Sequence, residues 1–285
     1  QHLSKSFRQL QKGAGLKGTL QSLFKRTYKE VEAVRDLSFT IEEGEIVGFL
    51  GPNGAGKTTT LKILSGVMWP SSGQATVLGY TPWKRESDFQ RKFSIVLGGK
   101  NQLWWDLPAK ETFLLNKEVY DIPDHAFTER VEELSHLLEI GHLLDAPVRT
   151  LSLGERMKCE LINALLHEPR VLFLDEPTIG LDVVSQKAVR DFLRAWNKRS
   201  KTTILLTSHT MADVQALCDR VILIDHGKLF YDGALEELNH AVEKHKLIRV
   251  RFNQRIPKKR LESFGTINAF TDTGVVLEVP QEEVL

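Results

Sequence analysis

The chain is poor in cysteine, lacks any long apolar run and has almost no net charge, and each shortage narrows what it can be. Its 285 residues include only Cys159 and Cys218. These lie far apart and match no metal or redox spacing, so they read as two unpaired thiols of a reducing compartment. No stretch of about 18 apolar residues is present, so the chain is expected to have no spanning helix of its own. No secretory signal is visible at the polar, basic N-terminus. Lys and Arg total 38 against 37 Asp and Glu, a net charge of +1. That balance gives no global electrostatic ground for nucleic acid binding, and no nucleic acid partner is expected. The length suits one large α/β domain, with or without a small appendage, and a core of that size needs no cross-links.

Charge is gathered instead at the N-terminus. Within residues 1–30, Lys5, Arg8, Lys12, Lys17, Lys25, Arg26 and Lys29 stand against the single acid Glu30. Leu3, Phe7, Leu10, Leu16, Leu20, Leu23 and Phe24 recur at roughly helical spacing, interrupted by Gly13 and Gly15. Two readings stand. One is a basic amphipathic helix on lipid headgroups or a partner; the other is a solvated arm packing a few leucines on its own domain. Residues 1–27 are set apart as this basic extension.

From residue 33 the pattern becomes strand–turn–helix. Strands are expected at Ala33–Ile41, Ile46–Leu50, Phe93–Leu97, Val171–Leu174, Thr203–Thr207 and Val221–Ile224. Helices are expected at Glu111–Tyr120, His125–Leu138, Glu155–His167, Val184–Lys198 and Met211–Cys218. Short apolar strands alternating with helices imply a parallel sheet covered on both faces. A helix over Ala234–Lys244 closes the domain at residue 245. Residues 246–285, with strands at Leu247–Phe252 and Gly274–Val279, read as a small β appendage that is incomplete at Leu285.

Two stretches carry chemistry. Gly51-Pro52-Asn53-Gly54-Ala55-Gly56-Lys57-Thr58-Thr59 fits G-x-x-x-x-G-K-[ST], between an expected strand and an expected helix. Glycines let backbone N–H groups wrap phosphates closely, and the helix start adds its dipole. Lys57 would reach the β- and γ-phosphates of ATP, and the Thr58 hydroxyl would hold Mg²⁺. The apolar strand from Val171 ends in Asp175-Glu176-Pro177. Asp175 suits Mg²⁺, directly or through water, and Glu176 suits polarising the attacking water.

With these in place, the sequence resembles the ATP-binding-cassette family. Leu151-Ser152-Leu153-Gly154-Glu155 resembles its signature, usually LSGGQ, and stands just before the Asp175-Glu176 strand. Gly180-Leu181-Asp182 resembles its D-loop, Ser208-His209 its switch histidine, and Tyr28, 29 residues before Lys57, the aromatic that stacks on adenine. The resemblance spans about Tyr28 to Ala234. It implies an α/β fold: a P-loop NTPase core with an antiparallel β subdomain and a helical subdomain at about 100–165, plus the small C-terminal β appendage.

It further implies that Ser152 to Glu155 and Asp182 act in trans on ATP bound by a second, head-to-tail subunit, with His209 on the γ-phosphate. Departures are specific. Leu153 replaces a glycine, and Glu155 a glutamine. Gly99 stands where a metal-linking glutamine is usual, with Gln102 three residues late. Trp104-Trp105 reads either as an interface anchor for a membrane permease or as core. The LWWDLP stretch and the basic arm resemble ATPase subunits of exporters with separate permeases. The implied function is an ATP hydrolase that drives transport, peripheral at the cytoplasmic face of the cell membrane. The other reading is a soluble cassette ATPase of a non-transport machine.

Overall fold

A computed structural model describes residues 1–10, 28–98, 101–238, 245–252, 256–271 and 273–280. The chain forms two compact units, Gln1–Asp232 and Gly233–Leu285. Among the described residues no helix is long and apolar enough to cross a membrane.

The first unit is organised by a six-stranded sheet. Its strands are β3 (Ile46–Leu50), β4 (Phe93–Leu97), β5 (Val171–Asp175), β6 (Thr203–Ser208), β7 (Arg220–Asp225) and β8 (Lys228–Ala234), in the order β4-β5-β6-β3-β7-β8. From β4 to β7 all pairings are parallel. Every residue of β5 and β6 is buried, which is why these strands read as continuous apolar runs. The register sets Leu97 beside Asp175, Asp175 beside Thr207, and Ser208 beside Leu50. Four strands therefore end in a row, and the loops that follow share one edge of the sheet. β7 and β8 are joined through His226 and Gly227, both at positive φ, as a type I′ hairpin requires.

Helix α1 (Lys57–Leu64) follows β3. A helical layer contains α2 (Ala109–Val119), α3 (Asp124–Leu137) and α4 (Leu153–Leu165). They bury Phe113, Leu134, Leu161 and Ile162 completely, each contributing about 1.5–3 kcal/mol of transfer free energy. Helices α5 (Val183–Ser200) and α6 (Met211–Leu217) follow β5 and β6.

The N-terminus departs from the helical expectation. Residues 3–10 form strand β1 (Leu3–Leu10), antiparallel to β2 (Tyr28–Leu37), which packs Leu3 on its own domain and leaves Phe7, Arg8 and Gln9 exposed. Long-range pairing overrides the helical spacing of the leucines: Leu3 is buried against Leu37, and the Ser4 carbonyl accepts from Ser71 and Ser72 N–H. The remainder of the basic stretch, residues 11–27, lies outside the described residues. β2 also starts five residues before the expected Ala33 and stops at Leu37.

The second unit is a three-stranded antiparallel sheet, β10-β11-β9, of β9 (His245–Arg251), β10 (Thr266–Thr271) and β11 (Gly274–Pro280). Leu261, Val275, Leu277 and Val279 form its small core. Of the expected Ala234–Lys244 helix, residues 235–238 are helical, and 239–244 are outside the described residues.

Candidate functional site

The loop Gly51–Gly56 leaves β3 and enters α1 at Gly56. No side chain caps this helix, and its first turn holds no acid, so its terminal N–H groups face an anion-binding position. Gly56 has φ +106, and a Cβ there would sit 2.3 Å from the Ala33 carbonyl of β2, so only glycine fits. Ala55 O accepts from Gly227 N–H of the β7–β8 turn, which fastens the loop from the other side. Pro52, Asn53 and Gly54 form its exposed crest. Lys57 is buried, its Nζ donating to Gly51 O at 2.6 Å and Pro52 O at 3.2 Å, with Glu176 Oε1 3.8 Å away. The Thr58 hydroxyl donates to both Asp175 oxygens at 2.9 Å. Thr59 is half-buried in the first turn.

The strand tips complete this group. Thr207, cross-strand to Asp175, donates its hydroxyl to Asp175 Oδ1 at 2.7 Å. The Glu176 N–H donates to Thr207 Oγ1 at 3.0 Å and to Thr207 O at 3.1 Å. Those bonds hold Glu176 at φ +51, a left-handed conformation that a non-glycine residue adopts only when its surroundings impose it. Its carboxylate then lies between Lys57 and His209, whose Nδ1 is 3.3 Å from Glu176 Oε2. Gly98 closes the wall, since a Cβ there would meet Asp175 O at 2.4 Å. Gly99 lies outside the described residues. Gln102 is turned away, its Nε2 donating to Ile95 O at 2.9 Å.

A second group gathers at the starts of α4 and α5. Ser152 caps α4 in a reciprocal box: Glu155 N–H donates to Ser152 Oγ, and Ser152 N–H to Glu155 Oε2 at 2.8 Å. The Ser152 backbone N–H and then its hydroxyl hold the Glu155 carboxyl below the usual range. The carboxylate is therefore spent on the cap. Asp182 caps α5 through Ser185, whose hydroxyl and N–H lower the Asp182 pKa. A Cβ on Gly154 would meet Ser185 Oγ at 2.3 Å, and one on Gly180 would meet Leu153 Cδ2 at 3.0 Å. The two helix starts thus form one surface, on which Val183 and Val184 are more than three-quarters exposed. Tyr28 belongs to neither group: it opens β2, half exposed, five residues along the strand from the Ala33 carbonyl that touches Gly56. At about 3.3 Å per residue that is roughly 17 Å along the strand.

Sequence reasoning missed Thr207 and Asp213. Asp213 is buried, which opposes ionisation. Hydrogen bonds from Thr178, Thr210, Arg190 and Ser208 outweigh that and lower its pKa, pinning the His209 loop to the segment after Glu176. Both lie in ordinary-looking strand and helix sequence, and only the β5–β6 pairing and the burial reveal them.

The ABC transporter family matches residues 34–179. The chain belongs to that family. A second match, the EvrA-like ABC transporter C-terminal domain, covers residues 244–285. The ABC transporter ATP-binding protein NatA of Bacillus subtilis is 40% identical over 215 residues, covering 75% of this chain and 87% of NatA. The doxorubicin resistance ATP-binding protein DrrA of Mycobacterium tuberculosis is 35% identical over 76% of this chain and 65% of its own. Among solved structures, cbiO1 from Clostridium perfringens, part of the ABC transporter complex cbiONQ, superposes with a TM-score of 0.67 at 27% identity. It covers 73% of this chain and 84% of that one. The chain is accordingly the nucleotide-binding, ATP-hydrolysing subunit of a transporter, with the α/β P-loop fold of ABC ATPases.

Proposed function

We propose that the chain binds MgATP on Gly51–Thr59 and hydrolyses it with Glu176 as general base. Two subunits, of the same or a similar chain, pair head to tail. The observation that carries the chemistry is the Lys57–Glu176–His209 line beside Thr58 and Asp175 at the strand tips. Glu176 can take the proton of a water that attacks the γ-phosphate, while Lys57 faces the charge that develops there and His209 steadies the carboxylate. Mg²⁺ fits the oxygens available: Thr58 Oγ1 and the Asp175 carboxylate, one or two hard ligands completed by phosphate and water. Among the described residues no three side chains form a metal cage of their own, and such a site needs none. Tyr28 offers its ring to adenine. Ser152, Leu153, Gly154, Glu155 and Asp182 face the partner's nucleotide, with the N-terminus of α4 directed at its γ-phosphate.

Trp104 and Trp105 are about half exposed, with Leu107, Leu114, Leu115 and Val119 exposed near them in sequence. That excludes the core reading of the tryptophans and supports their use as the permease-docking surface. The subunit then sits peripherally at the cytoplasmic face of the membrane. Transport is outward, as removal of a toxic compound would give the resistance for which DrrA is named. Co-purification from detergent tests this. The permease should accompany the chain, and a Trp104→Ala/Trp105→Ala pair should release it while MgATP binding persists. A chain that follows ribosomes or DNA instead would overturn the transporter assignment of these surfaces.

A further inference from the structure

The loop between β4 and α2 that bears the tryptophans is held by the helical layer at several points. The Gln102 N–H donates to Glu160 Oε1 at 2.7 Å. Trp104 N–H donates to Thr112 Oγ1 of α2 at 3.2 Å. Trp105 O accepts from Arg149 N–H at 2.9 Å, and the Arg156 guanidinium lies over the Trp105 ring at 5.6 Å. Arg156 and Glu160 are one turn apart on α4, the helix that begins at Ser152.

Glu160 is out of place by ordinary stability criteria. It is 3% exposed, and its Oε2 meets no partner. Burial pushes its carboxyl up to about 7, against the loop N–H groups and Arg156, which favour the anion. A well-packed apolar side chain would avoid that penalty. What the carboxyl does supply is an acceptor for the Gln102 N–H of an otherwise irregular loop.

We propose that Glu160 is a positioning residue that fixes the tryptophan-bearing loop to α4, so that a displacement imposed on Trp104 and Trp105 moves Ser152 with it. Eight residues of helix separate Glu160 from Ser152, about 12 Å along a rigid axis. The inference rests on the reading of the tryptophans as permease-facing.

The test uses the full chain, alone and with its permease. Glu160→Leu replaces the carboxyl with an apolar side chain of similar size. It should speed amide exchange at Gln102 by about tenfold or more, the worth of a charge-assisted hydrogen bond. MgATP affinity and the hydrolysis rate of the chain alone should stay unchanged, while the permease-stimulated increment falls by about fivefold or more. Glu160→Gln, which keeps the acceptor oxygen, should restore both. Glu160→Asp, one methylene short, should behave as Leu and carries the comparison if Leu does not fold. Unchanged exchange in Leu and Asp, or faster exchange with full stimulation, would overturn the inference alone. Absence of stimulation in the wild type would overturn it together with the reading of the tryptophans.

Discussion

Glu176 occupies a backbone conformation fixed by two hydrogen bonds to Thr207, with its carboxylate held between Lys57 and His209. Glu176→Gln preserves that shape and removes the base. Hydrolysis, measured as phosphate release, should fall by about 10²–10⁴-fold with MgATP binding kept. Lys57→Ala removes the cation proposed to face the phosphates, so affinity or turnover should collapse in the same assay. Tyr28→Ala should weaken MgATP binding by about 1–3 kcal/mol, read by calorimetry, if the ring stacks on the base. Thr207→Val keeps the volume of a buried strand residue but strips Asp175 and the Glu176 N–H of a partner. It should cost about 1–3 kcal/mol of stability in denaturant unfolding and slow hydrolysis, whereas an unaffected rate would show that Glu176 needs no such support. The first three residues were legible in the sequence because motif spacing exposes them. Thr207 was not, because its role exists only through pairing with a strand 32 residues earlier.

Elements show the same division. β3, β5 and β6 were readable because buried parallel strands are uninterrupted apolar runs. β1 was not, because its partner lies across residues 11–27 and its own leucines mimic a helix. The capping box of α4 pairs Ser152 with Glu155 three residues later, a spacing present in the sequence itself. Two buried titratable groups give the fold opposite pH slopes. Burial lowers His167, stacked on Tyr120, from 6.5 to about 4. The unfolded chain therefore binds a proton that the fold excludes, and this contribution is present above pH 6.5 and lost as pH falls towards 4. Burial raises Glu160 from 4.5 to about 7, so its contribution is present below pH 4.5 and lost as pH rises through 7. Glu160→Gln abolishes only the second slope. Unfolding midpoints of wild type and variant should diverge in favour of Gln between pH 5 and pH 8, whereas a constant gap would mean that Glu160 titrates as a solvated carboxyl.

For the whole molecule, the phosphate group and the α4–α5 surface face different tasks. On the proposed reading the first grips a nucleotide within the chain, and the second offers a helix terminus and exposed Val183 and Val184 to another chain. In the proposed cycle, tighter ATP binding by the closed pair than by a single subunit drives association, and hydrolysis reverses it. Membrane attachment should follow the permease rather than lipid. Basic residues near an anionic surface contribute about 1 kcal/mol each and are screened by salt. The chain should therefore sediment with permease-containing membranes in high salt and be released from bare anionic vesicles. The most direct test of the account is the mass of Glu176→Gln in solution with saturating MgATP, by light scattering. The account predicts twice the 32.3 kDa chain mass with two ATP enclosed, reverting to single chains without nucleotide. An ATP-saturated variant that stays at the mass of one chain would contradict it.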